Sequence, residues 1–225
     1  MSSSRDAGHD LAVAARDVTV RIDDAPLLAP VSVGLERGRT LAVTGANGTG
    51  KTTLLRVLAG IQPPSGGEVR VLGAEPDERS PAFRADVAAL LDPPPLSRSL
   101  VLAEYLALIG TSWGLALDPA IDQAEDLLAE LGISALAHRF AHELSSGQRQ
   151  LYGLTLVLAR PSTVLILDEP EQRLDPDRLE LVTRALERRK EAGATLVVAS
   201  HSPALVDRIA DERLELAEAS ALAER

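Results

Sequence analysis

The chain has 225 residues, enough for one large domain with a sizeable core. Apolar residues make up 45% and aromatics only 2%, so the core is aliphatic and stacking surfaces for single-stranded bases are scarce. A net charge of −10 argues against an electrostatic footprint on nucleic acid or anionic lipid, and the lack of cysteine excludes disulfides and thiolate metal sites, which suits a reducing cytosol.

In chain order, the polar stretch Met1 to Asp10 lacks the apolar core of a signal peptide. Alternating apolar residues predict a strand over Leu11 to Ile22, and another over Val31 to Leu35. Thr40 to Thr44 reads as a short buried strand that ends at a glycine-rich loop. A helix from Lys51 to about Ala59 is stopped by Gly60 and the Pro63-Pro64 turn. Strands follow at Glu68 to Leu72 and Val87 to Leu91. Between Asp92 and Leu144 helical periodicity takes over, with helices at Val101 to Trp113 and Pro119 to Leu131, Asp118 as N-cap and Gly132 as stop. This segment, 92–144, is expected to be a helical lobe inserted into an α/β core of 11–91 and 145–217, with frayed ends at 1–10 and 218–225. The core resumes with helix Ser146 to Leu158, strand Val164 to Leu167, helix Pro176 to Ala192 and strand Thr195 to Ala199. A helix near Ala204 to Ala210 and a strand near Leu214 close it. Strands alternating with helices imply a mostly parallel sheet. The most apolar run, Leu151 to Ala159, is about half of what a bilayer span needs.

Two segments carry chemistry. Gly45-Ala46-Asn47-Gly48-Thr49-Gly50-Lys51-Thr52 fits the pattern G-x-x-x-x-G-K-[ST] at every fixed position, between a predicted strand and a predicted helix. Its glycines let successive backbone N–H groups face phosphates, and the helix presents its positive end to the same anion. Lys51, one of only two lysines, is placed to reach the β- and γ-phosphates, and the Thr52 hydroxyl to sit on Mg²⁺. Val164-Leu165-Ile166-Leu167-Asp168-Glu169 is an apolar strand ending in two carboxylates. Such a strand is expected beside the loop strand, with Asp168 on Mg²⁺ and Glu169 polarising the attacking water.

Two weaker signals accompany them. Leu144-Ser145-Ser146-Gly147-Gln148-Arg149-Gln150 opens a helix, offering Ser hydroxyls and free N–H groups as a second anion site. His201, after strand Leu196 to Ala199, stands where a histidine can touch a γ-phosphate. His9, His138 and His142 show no metal-ligand spacing.

These segments, in this order, resemble the nucleotide-binding subunits of ABC transporters over nearly the whole chain. GANGTGKTT, which ends at Thr53, looks like the Walker A loop, LSSGQ like the LSGGQ signature, LILDEP like Walker B with its catalytic Glu, Leu174-Asp175 like the D-loop, and His201 like the switch histidine. The resemblance implies a P-loop NTPase fold of the α/β class, with an N-terminal antiparallel β portion and an inserted helical subdomain. It implies ATP and Mg²⁺ as cofactors, and head-to-tail pairing with a second copy or another ATPase subunit. Ser145, Ser146, Gly147 and Gln148 then act in trans on ATP held by the partner's Walker A. It further implies an integral-membrane transporter subunit pressing on the helical lobe and a position on the cytoplasmic face of the membrane, while the acidic balance argues for no nucleic-acid partner.

Three positions depart from the family pattern. Ile22 stands where an adenine-stacking aromatic is usual. Asp92, followed by Pro93-Pro94-Pro95, replaces the Q-loop glutamine, where it is a candidate Mg²⁺ contact. Ser146 stands where the signature normally has its first glycine. Two alternatives stay open at this point: a soluble ATPase of the same class not coupled to transport, and a nucleotide-binding regulator with weak hydrolysis. Transported substrate and direction are not written in these residues.

Overall fold

The computed structural model describes residues 11–23 and 25–217; the ends expected to fray, 1–10 and 218–225, lie outside the described residues, as does His9. The chain opens with strands β1 (Leu11–Ile22), β2 (Ala25–Glu36) and β3 (Thr40–Thr44), then helix α1 (Lys51–Leu58). Strand β4 (Gly66–Val71), the short helix α2 (Pro81–Asp86) and strand β5 (Val87–Leu90) follow. Next come α3 (Leu102–Ser112) and α4 (Leu117–Glu130), two single 3₁₀ turns, and α5 (Ser146–Leu158). The remainder alternates: β6 (Val164–Asp168), α6 (Pro176–Glu191), β7 (Thr195–Ala199), α7 (Pro203–Ile209), β8 (Glu212–Glu215).

The strands form two sheets. One is antiparallel, in the order β2-β1-β4; the other has five strands in the order β5-β6-β7-β3-β8, every pair parallel. Strands β3, β5, β6 and β7 are apolar on both faces, as a sheet covered on both sides requires, whereas the edge strand β8 is Glu-Arg-Leu-Glu and has no buried residue. In β6, Val164 and Ile166 face one core while Leu165 and Leu167 face the other. The first core holds α1 between the two sheets, with Leu54, Leu55 and Leu58 packed on Ile166, Val197 and the inner residues of β1. The second gathers α5, α6 and α7 on the opposite face, and α3 and α4 join it. Tyr152 of α5, fully buried, donates its hydroxyl to the Leu102 carbonyl at 3.0 Å, so the helical lobe is bonded to the core at the start of α3. Among the described residues no helix is long and apolar enough to cross a membrane.

Several expected boundaries shift. Strand β2 begins six residues before Val31, because pairing with β1 continues past Pro30 and Pro26 to the Ile22–Ala25 rung. Asp118 is not the N-cap: Ala116 holds that position, and Asp118 lies in the first turn, where its charge still complements the helix N-terminus. Helix α2 has no buried residue, which is why apolar periodicity does not reveal it. Its start is nonetheless written in Ser80, which caps the Phe83 N–H, and Pro81 at the first helical position.

Candidate functional site

The C-terminal ends of β3, β6 and β7 carry the candidate side chains Lys51, Thr52, Asp168, Glu169 and His201. The loop after β3 reaches α1 through Gly50 in the left-handed region, φ 95°. A Cβ there would meet the Leu27 carbonyl oxygen at 2.5 Å and Leu28 Cδ1 at 2.9 Å, so only glycine fits. Ala46, Asn47 and Gly48 are exposed, Thr49 is buried and donates to the Ala46 carbonyl, and Thr53 is half-buried. Lys51 is 6% exposed, and its ammonium donates to the carbonyls of Gly45 and Ala46, each at 3.0 Å. It is thereby folded back over the loop.

The expected adjacency of the acidic strand and the loop strand is overturned: β7 lies between β3 and β6. Two strand spacings, roughly 9–10 Å, therefore separate them. The gap is closed by α1, which packs across β7 and β6. Thr52, in its first turn, donates to Asp168 Oδ2 at 2.5 Å. Burial raises the Asp168 carboxyl above its ordinary value; the Thr52 hydroxyl and Lys51 oppose that, while Glu169 and Asp92 reinforce it. A hydroxyl touching a half-buried, reluctantly ionised carboxylate is a donor set that would suit a hard divalent cation. Among the described residues no cluster of three or more His, Asp or Glu side chains could hold a metal by itself.

Glu169 has φ 46° and is anchored by its N–H, which donates to the Ala199 carbonyl at 2.9 Å. Its side chain is gripped from two sides. His201 Nε2 lies 3.4 Å from Oε1, and Gln172 Nε2 donates to Oε2 at 2.8 Å. The structure thus joins Lys51, Thr52, Asp168, Glu169 and His201, which lie on three separate strand–loop junctions.

The segment read as a second anion site starts α5 as a reciprocal cap. Ser145 Oγ accepts from the Gln148 N–H at 3.3 Å, and Gln148 Oε1 accepts from the Ser145 N–H at 2.9 Å. Ser146 is the exposed first residue of the helix. A Cβ on Gly147 would come within 2.7 Å of the Arg173 carbonyl oxygen, so glycine lets α5 rest against the turn that follows β6. Gln150 reinforces the contact by donating to the Glu169 carbonyl at 3.1 Å. Asp175 caps α6 through the Arg178 N–H at 2.9 Å. His142 stacks on Phe140, with ring centroids 5.6 Å apart.

A cavity of about 480 Å³ opens beside these groups, lined by Thr52, Asp92, Asp168 and Glu169 on one side and Ser146, Arg149, Gln150 and Arg173 on the other. Asp92 shares this cavity, but both of its carboxylate oxygens accept from Arg56 Nη2, so a metal contact requires it to leave Arg56. Ile22 is 52% exposed at the end of β1, a bare aliphatic surface. Sequence reasoning missed Arg56, Gln150, Glu171 and Gln172. The last two lie in the six-residue interval between Asp168 and Asp175, and the polar run Glu171-Gln172 in that turn is the signal that could have marked them.

Comparison with known proteins bears on the family and the fold. The family model described as ABC transporter matches residues 28–172. The thiamine import ATP-binding protein ThiQ of Rhizobium meliloti is 35% identical over 91% of this chain and 85% of its own length. ThiQ of Salmonella choleraesuis is 35% identical over 83% and 80%. Among solved structures, cbiO1 from Clostridium perfringens, part of the ABC transporter complex cbiONQ, superposes with a TM-score of 0.77 at 27% identity, over 93% of this chain and 86% of that one. A dimeric ATP-binding cassette bound to ADP and Pi after hydrolysis has a TM-score of 0.82, over 92% and 95%; at 20% identity it speaks for the fold alone.

Proposed function

The chain belongs to the ABC transporter family as an ATP-binding and ATP-hydrolysing subunit, and we propose a division of labour among its residues. Gly45 to Thr53 cradle the phosphates of ATP, with Lys51 leaving the Gly45 and Ala46 carbonyls to meet the β- and γ-phosphates. Thr52 and Asp168 would hold Mg²⁺, which would neutralise charge on the phosphates. Glu169 accepts the proton of the attacking water, and His201 holds the carboxylate and contacts the γ-phosphate. The observation that carries this reading is the convergence at one place of the Thr52–Asp168 bond and the Glu169–His201 contact.

Residues 11–217 act as one nucleotide-binding domain whose lobe, 92–144, receives the membrane subunit. Two such domains close head to tail on ATP, each lending Ser145, Ser146, Gly147 and Gln148, with Asp175 near the contact, to the ATP of the other. A place on the cytoplasmic face of the membrane follows from that partnership, and the ThiQ relatives, named for thiamine import, favour an import system. Adenine is held without an aromatic stack, since Ile22 offers only an exposed aliphatic face.

Steady-state ATPase measurement on the full chain with its membrane partner tests the assignment. Glu169→Gln is expected to lose turnover and to accumulate an ATP-held dimer, and Lys51→Ala to lose nucleotide binding. Wild-type turnover in Glu169→Gln overturns the catalytic role.

A further inference from the structure

Glu171 lies two residues beyond Glu169, in the turn after β6. Its Oε1 accepts from three donors at the end of β7: the Ser200 hydroxyl at 2.5 Å, the His201 N–H at 2.8 Å and the Ser202 N–H at 3.2 Å. Its Oε2 is buried with no hydrogen-bond partner. Ser200 is 2% exposed, and its hydroxyl also accepts from the Ser202 N–H at 3.0 Å. A glutamate on a surface turn ordinarily turns both oxygens to water. Here the carboxylate points inward, leaves one oxygen unsatisfied and concentrates its bonds on one three-residue segment.

That segment carries His201. The main chain aligns the two turns through the Glu169 N–H to Ala199 carbonyl bond, and the Glu171 side chain links them again past it. We propose that Glu171 is a positioning residue for hydrolysis, fixing the backbone of Ser200–Ser202 so that His201 Nε2 is held against Glu169. Bonds from neutral donors to an ionised acceptor are short and directional, and three on one oxygen leave the segment little freedom. The inference rests on the roles proposed for Glu169 and His201.

The test is single-turnover and steady-state ATP hydrolysis by the full chain carrying Glu171→Ala, Glu171→Asp or Glu171→Gln, each alone and combined with His201→Ala. Glu171→Ala and Glu171→Asp, the latter keeping the charge but falling one methylene short, are expected to lower kcat about tenfold or more, with the KM for ATP within about twofold. Glu171→Gln keeps the reach and an acceptor oxygen and is expected to stay within about threefold of wild type. With His201→Ala in place, none of the three is expected to change kcat by more than about twofold, because the group being positioned is gone. Wild-type kcat in both Glu171→Ala and Glu171→Asp overturns the proposal, as does an equal penalty with and without His201. Should the alanine variant fail to fold, Glu171→Asp carries the same comparison. Undiminished turnover in Glu169→Gln removes the underlying catalytic reading; loss there with normal Glu171 variants removes only this inference.

Discussion

Arg56 Nη2 lies 3.1 and 3.0 Å from the two carboxylate oxygens of Asp92, tying the last turn of α1 to the start of the segment that leads into the helical lobe. The pair is open to solvent, with side-chain exposures of 38% and 68%, so it contributes about 1 kcal/mol or less to stability. Its weight is electrostatic, because Asp92 is one of three carboxylates lining the cavity. Asp92→Asn removes a negative charge and leaves Arg56 unneutralised. ATP titration is expected to show affinity tightened a few-fold at low salt, with the gain shrinking as ionic strength rises.

Asp168 gives a pH-dependent outcome. Burial, the largest influence, raises its folded-state pKa above the unfolded value, so the metal-free protein is best stabilised at this site below pH 3.8 and loses that contribution as pH rises through the elevated value. Asp168→Asn is therefore expected to raise the Tm of the metal-free chain at pH 7, and to leave it unchanged below about pH 3.8. Adding MgATP reverses the order: at one hundred times Kd the wild type gains about 2.7 kcal/mol, and the variant gains far less. Thermal unfolding with and without MgATP at both pH values measures it.

Gly147 predicts a kinetic defect. The methyl of Gly147→Ala meets the Arg173 carbonyl oxygen at 2.7 Å, and a backbone atom there can yield only by moving the turn that begins at Glu169. Turnover is expected to fall at least about tenfold while monomeric ATP affinity stays within about twofold. Comparing fluorescent-nucleotide binding with phosphate release separates the two.

Tyr152 reports on the attachment of the lobe. Tyr152→Phe keeps the ring in the core and removes the bond to the Leu102 carbonyl, an expected loss of about 1 kcal/mol. Tyr152→Ala also leaves a ring-sized void and is expected to lose about 3–5 kcal/mol. Urea unfolding resolves the difference.

Strands β3, β6 and β7 were legible because each is a short apolar run ending at Gly, Asp-Glu or Ser-His, and the phosphate loop because its spacing dictates its conformation. Strand order was not legible. Nothing in Val164 to Asp168 says that β7 will insert between it and β3, since the order depends on how crossover helices pack. Glu171 and Gln172 escaped notice for a related reason. Glu171 acquires its partners at Ser200 to Ser202, some thirty positions away, and Gln172 only when the turn folds it onto Glu169. Pairing of β2 beyond Pro30 was hidden by prolines that break the alternating pattern.

The contact between Gly147 and Arg173, with Gln150 bonded to the Glu169 carbonyl, has a mechanical meaning. The start of α5 and the turn that carries Glu169 form one stiff joint. A tilt of that helix, whatever presses on the lobe behind it, must drag the carboxylate of the same chain. On the roles proposed above, the hand this subunit extends to its neighbour and the hand that works on its own nucleotide share a wrist.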